Sequence, residues 1–164
     1  MIFKCQERSL IELQKLADSD RHSILIEGSP GSGKTYLARQ YANMLKIPDF
    51  DTVAPKVSDI RESVDRCHQL DNNIVLCIEN LDKGVSSSSY TLLKCLEEPL
   101  PNMYIVITCR NINNVPDTII SRSTVVSACP PTDSDIDLFS RSVNPDRYLK
   151  INQSVLWKCV RTLN

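Results

Sequence analysis

Short apolar runs alternate along this chain with segments of helical period. "HSILIEG" (22–28) is rich in β-forming residues and ends in glycine, so it predicts a strand. "GKTYLARQYANMLKI" (33–47) sets Leu37, Ala38, Tyr41, Ala42 and Leu45 on one face of a helix. "FDTVAP" (50–55) reads as a short strand. "VSDIRESVDRCHQL" (57–70) spaces Val57, Ile60, Val64 and Cys67 helically, with charges on the other faces. A buried strand follows at 74–78. "SSSSYTLLKCLEEPL" predicts a helix opened by serines and closed at Pro99. "MYIVITC" (103–109) is a strand, "VPDTIISRS" a short helix, and "TVVSA" (124–128) a last strand. Five strands separated by helices predict a parallel sheet covered on both faces. From Pro130 the pattern changes to a linker, an amphipathic helix and the start of another.

Composition narrows this picture. The 164 residues suffice for one domain with a real core, and 41% hydrophobic with 24% charged residues is a globular balance. A formal net charge of −1 excludes bulk attraction to nucleic acid or membrane, so any polyanion site is local. The seven cysteines form no C-x-x-C pair and show no metal spacing. Most stand among apolar neighbours, as reduced cysteines of a cytoplasmic protein do. The N-terminus "MIFKCQERSL" has no apolar signal core, and no apolar run approaches membrane-spanning length.

One stretch carries chemistry. "GSPGSGKT" (28–35) fits G-x-x-x-x-G-K-[ST] at every fixed position, with a strand before it and a helix after. Glycines 28, 31 and 33 permit turns that side chains would block. The loop's N–H groups then converge on phosphate oxygens at a helix N-terminus. Lys34 reaches the β- and γ-phosphates of ATP, and the Thr35 hydroxyl ligates Mg²⁺. The candidate nucleotide-binding residues are Gly28, Ser29, Pro30, Gly31, Ser32, Gly33, Lys34, Thr35 and Tyr36.

The stretch "IENLDKGVSSSSYTLLKCLEEPLPNMYIVITC" resembles the part of AAA+ clamp-loader ATPases between the Walker B strand and sensor 1. Thr91 to Pro99 stand where that family has A-L-L-K-x-L-E-E-P. "VPDTIISRS" matches its L-P-x-T-I-x-S-R-C, "VSDIRESVDRC" its I-x-x-I-R-x-L helix, and "FKCQE" its x-x-G-Q-E. The resemblance covers about residues 2 to 130 and is nearest the delta-prime or gamma/tau subunit of bacterial DNA polymerase III, or a phage or plasmid relative. It implies an AAA+ three-layer α/β sandwich with a five-stranded parallel sheet over 1–130. Residues 131–164 would then form part of a helical lid, which family members complete and follow with a collar domain.

Site roles come with the resemblance. Asp82 aligns with the last acid of D-E-x-D, so Glu79 takes the Mg²⁺-linked aspartate position and Asn80 that of the water-polarising glutamate. A longer carboxylate still reaches Mg²⁺, directly or through water. An amide orients water but accepts no proton near neutral pH. General-base help is worth roughly 10²- to 10⁴-fold, so slow hydrolysis or none is expected while binding survives. Sensor 1 falls on Cys109 or Arg110, with Asn111 close by. Arg122, in "SRS", stands where the family offers an arginine finger to a neighbouring subunit. Sensor 2 lacks its usual string, and Arg161 is the nearest candidate.

The resemblance further implies partners: other clamp-loader subunits, a sliding clamp, and primer–template DNA only within the assembly, near the serines at 86–89 and Lys94. His22 and His68 receive no functional reading, and Glu97–Glu98 are read as capping and packing near Pro99. The function expected is a weakly hydrolysing, ATP-binding clamp-loader subunit. Two alternatives stand beside it: a stator-like module with structural nucleotide, and another P-loop ATPase such as a helicase loader.

Overall fold

The computed structural model describes residues 4–69, 71–84 and 86–135. After a 3-10 turn at Lys4–Gln6 come α1 (Glu7–Asp18), β1 (Ser23–Glu27), α2 (Lys34–Met44), β2 (Asp49–Val53) and α3 (Val57–Gln69). Then follow β3 (Ile74–Ile78), α4 (Ser86–Glu97), β4 (Met103–Cys109), α5 (Asp117–Ile120) and β5 (Thr124–Ser127). The strands form one sheet in the order β2-β3-β4-β1-β5. Every pairing is parallel, with Ile26 opposite Thr108 and Val126, and Leu76 opposite Asp51 and Ile105.

Strand composition tracks position in this order. β3 and β4 are buried at every residue, as interior strands of a doubly covered sheet must be. The edge strand β2 is half-exposed throughout and contains two aspartates. Pleating sends alternate side chains to opposite faces. Ile24, Ile26, Val75, Cys77 and Val106 pack with Leu13 of α1 and Leu37, Ala38 and Tyr41 of α2. Leu25, Leu76, Ile78, Ile105 and Ile107 pack with Ile60 and Cys67 of α3, Leu92 of α4 and Ile119 of α5. The three-layer α/β sandwich expected from the sequence is what the structure shows.

Some elements differ from the pattern-based reading. α1 was not predicted, although Leu10, Leu13, Leu16 and Ala17 follow a helical period and meet the first core. Ser9 of α1 donates from its hydroxyl to Ser127 O (2.6 Å), fixing the helix to the end of β5. The segment 115–123 forms only the four-residue α5, because Pro116 precedes it and Ser121 to Ser123 turn directly into β5. Burial pushes the thiols of Cys77 and Cys109 up to about 12, so both stay protonated.

Beyond β5, a helix starts at 133–135. Asp135 Oδ2 accepts from Thr132 N (3.0 Å) and Thr132 Oγ1 (2.6 Å), and Asp135 N donates back to Thr132 Oγ1 (3.2 Å). This is a reciprocal N-terminal cap. Arg161 and the rest of the expected lid lie outside the described residues. Among the described residues no helix is long and apolar enough to cross a membrane.

Leu76 is 1% exposed at the centre of the second core. Leu76→Ala should lower the unfolding free energy by about 2–5 kcal/mol in a denaturant titration, through lost burial and the cavity left behind.

Candidate nucleotide site

The strand order brings the carboxyl ends of β1, β3 and β4 to one edge, where loops of an open parallel sheet form a crevice. The phosphate loop leaves β1 there. Gly28 N donates to Cys109 O (3.1 Å), extending the ladder to β4. A Cβ on Gly28 would lie 2.5 Å from Ser32 Oγ and 2.7 Å from Ala128 O, so the loop closes only on glycine. Gly33, at φ 80°, is the N-cap of α2. A side chain there would be both strained and pressed on Gln6 Nε2, 3.4 Å away.

Lys34 is folded back along the loop. Its ammonium donates to Gly28 O (2.8 Å) and Ser29 O (3.1 Å). Burial pushes its pKa below the ordinary lysine value, and the neighbouring Arg110 guanidinium adds to the effect. Thr35 Oγ1 donates to Glu79 Oε1 at 2.6 Å. A hydroxyl and a carboxylate side by side make an oxygen donor set suited to a hard divalent cation. The residues present therefore fit Mg²⁺.

Asn80 follows β3 in the left-handed region, at φ 51° and ψ 53°. Its N–H donates to Thr108 Oγ1 (2.9 Å). Asp82 Oδ1 accepts from Arg110 N (3.1 Å), so the turns after β3 and β4 are tied twice. These turns and the phosphate loop enclose a cleft of about 410 Å³. Asn80, Lys83, Thr108 and Arg110 line it together with Pro30, Gly31, Gly33, Lys34, Thr35 and Glu79. Its lining carries three cations, Lys34, Lys83 and Arg110, against the single carboxylate of Glu79. That balance suits a polyanion.

The other candidates fall elsewhere. Gly28 and Ser29 meet Lys34 through their carbonyls, and the Ser32 side chain is buried beneath the loop. Tyr36 packs against the first core and is not among the cleft-lining residues. Of the sensor 1 candidates, Cys109 is fully buried and Asn111 accepts from Asn113 N in a local cap (3.0 Å). Only Arg110 faces the cleft, with Thr108 beside it. Lys83 was missed by sequence reading, and its place directly after Asp82 was the available signal.

Arg122 lies at the opposite edge of the sheet. The neighbouring Ser123 hydroxyl meets that of Ser23, the first residue of β1, at 3.0 Å. Arg122 donates from Nη1 to Thr118 O (2.9 Å) and pairs through Nη2 with Glu97 Oε1 (2.9 Å). Glu97 thus serves as the ion-pair partner of Arg122, a contact that the sequence reading did not include.

The parallel α/β sandwich in the strand order β2-β3-β4-β1-β5, with a glycine-rich loop after β1, is a fold this chain shares with solved replication ATPase relatives. The family described as DNA polymerase III, delta subunit, matches residues 46–131, just over half of the chain, and the chain belongs to that family. A second family, described as magnesium chelatase subunit ChlI, matches residues 4–76. The sliding-clamp-loader large subunit of Escherichia phage RB69 is 29% identical over 135 residues, covering 78% of this chain and 41% of that protein. The DNA polymerase III subunit delta' of Haemophilus influenzae is 29% identical over 93 residues, covering 57% and 28%. A DNA polymerase III gamma-subunit-related protein of Thermotoga maritima shares the fold at TM-score 0.67 and 20% identity, over 93% of this chain and 57% of that one. The chain spans less than half the length of the curated relatives it matches.

Removing the Lys34 ammonium deletes the central cation of the cleft. Lys34→Ala should weaken binding of an ATP analogue by roughly 100-fold in calorimetry, as expected for losing charge-assisted contacts to phosphate.

Proposed function

We propose that this chain is an ATP-binding subunit of a DNA-polymerase clamp loader that hydrolyses its own nucleotide slowly or not at all. Residues 28–35 cradle the phosphates, and Thr35 and Glu79 hold Mg²⁺. The metal, when bound, neutralises phosphate charge and orients the terminal group. Arg110 and Lys83 supply further positive charge toward the terminal phosphate. Residues 131–164 are assigned to part of a helical lid. The chain works in the cytoplasm within a hetero-oligomer that handles a sliding clamp and primer–template DNA, with Lys94 and the serines at 86–89 on the DNA side.

The observation that carries this reading is Asn80. Its backbone is held by Thr108, and it lines the cleft at the end of β3, directly after the carboxylate that meets Thr35. A carboxamide at that point positions water without accepting its proton. Binding depends on the loop and the cations, which are intact, so binding and turnover part company.

Arg122 takes the complementary role. It stands on the edge away from its own cleft and is offered to the nucleotide of an adjoining subunit. Its exposed pairing with Glu97 is worth no more than about 1 kcal/mol, so a phosphate displaces it readily.

Asn80→Glu should raise steady-state ATP turnover by about 10²-fold or more, the worth of a general base. A wild type that already turns over briskly and gains nothing from the change would remove Asn80 from this role. With a motor subunit of the loader present, Arg122→Ala should cut the partner's ATPase by about 10³-fold, the lower end of an arginine finger's effect. An unchanged partner rate would exclude the finger.

A further inference from the structure

Gln6 lies outside the phosphate loop in sequence but is built into it in space. It is 2% exposed, just before α1. Its side-chain amide nitrogen donates to Ser32 O inside the loop and to Cys129 O on the segment leaving β5 (3.0 Å). The amide has two N–H groups, and the two carbonyls use both. The opposite amide orientation would set Oε1 against two carbonyl oxygens, so the chemistry fixes which end faces them. Gln6 Oε1 and Ser32 Oγ are buried with no hydrogen-bond partner among the described residues. An unsatisfied buried polar atom costs about 1–3 kcal/mol. The fold carries that cost at both atoms while the same amide supplies donors to the carbonyls of Ser32 and Cys129.

Peptide geometry says what the contact achieves. The Ser32–Gly33 peptide is trans and planar, so the Ser32 carbonyl and the Gly33 N–H point in opposite directions. Gln6 holds the carbonyl on the buried side of the loop. The Gly33 N–H is thereby turned the other way, and Gly33 lines the cleft. The second N–H of the same amide grips Cys129 O. Neighbouring residues strengthen the link to that segment: Ser9 Oγ donates to Ser127 O (2.6 Å), and the Cys5 thiol hydrogen-bonds Asp135. The N-terminal residues thus form a strap from the phosphate loop to the chain that leaves the sheet.

We propose that Gln6 is a positioning residue that aims the Gly33 N–H at phosphate and transmits the state of the loop to residues 129–135 through Cys129. The inference rests on the nucleotide-binding reading above and adds a regulatory route to it. Phosphate arriving on the Gly33 N–H stiffens its peptide, and the shared amide stiffens the segment held at Cys129.

The test uses the full chain with Mg²⁺ and a slowly hydrolysed ATP analogue, combining calorimetry with hydrogen–deuterium exchange of peptides spanning 126–135. In the wild type the analogue should slow exchange over 129–135. Gln6→Met keeps the side-chain length and removes both donors. It should weaken analogue binding by about tenfold, the worth of one well-aimed hydrogen bond to a charged group, and abolish the exchange response at saturating analogue. A merely structural Gln6 would raise exchange in the free protein while leaving the analogue-dependent difference intact, and that result overturns the proposal. So does a wild type that binds the analogue with no slowing over 129–135, a measurement that needs no variant to fold. A wild type that binds no analogue at all would instead bring down the nucleotide reading itself.

Discussion

The hydrogen bond from Thr35 to Glu79 is the contact around which the site is organised. Thr35 opens α2, directly after β1, while Glu79 follows β3. β4 lies between these strands, so the contact spans two inter-strand steps, roughly 10 Å of sheet. It exists only because the sheet is parallel and places both strand ends at one edge. The extra methylene of a glutamate, compared with an aspartate, extends the carboxylate's reach toward the hydroxyl. A substitution that looks like erosion of a motif thus preserves an oxygen pair suited to a divalent cation.

Under the proposed reading, electrostatics at the same edge separates holding a nucleotide from splitting it. Lys34, Lys83 and Arg110 leave the cleft positively charged inside a chain whose formal net charge is −1. Burial and Arg110 together depress the Lys34 pKa, and a polyanion beside the ammonium would favour its charged form. No corresponding anionic base stands at Asn80, whose left-handed backbone is pinned by the buried Thr108 hydroxyl. The cleft is therefore built for affinity by long-range charge. Under the proposed reading, slow hydrolysis resides in one side chain, that of Asn80.

Much of the fold and the core of the site were legible in the sequence because their signals are local. Apolar runs gave all five strands, and the glycine spacing of 28–35 gave the loop that positive φ at Gly31 and Gly33 requires. What was not legible depends on contacts between distant segments. α1 has a helical period, but only its packing on Ile24, Ile26 and the β5 end gives that period a partner. Arg110, Cys109 and Asn111 are adjacent in sequence, and only the pleat and the following turn decide that the first enters the cleft while the others do not. The Glu97–Arg122 pair joins α4 to the turn before β5, which no spacing rule foresees. Gln6 acquires its role only when the N-terminal segment crosses beneath the loop.

The two edges of the sheet impose a direction on any assembly. The nucleotide cleft occupies the carboxyl edge of β1, β3 and β4, whereas Arg122 and Glu97 flank the amino edge of β5 and β4. A group at the amino edge is separated from its own cleft by the length of the strands, so it serves a nucleotide only by facing another molecule's cleft. Two subunits stacked end to end about a two-fold axis would oppose like edges, joining cleft to cleft or Arg122 to Arg122. A head-to-tail contact opposes unlike edges and leaves one free cleft and one free Arg122 at the ends of the chain of subunits, the geometry of rings and open spirals. Under the proposed reading, the polarity of a parallel sheet is thus what makes the arginine of one subunit and the nucleotide of the next a matched pair.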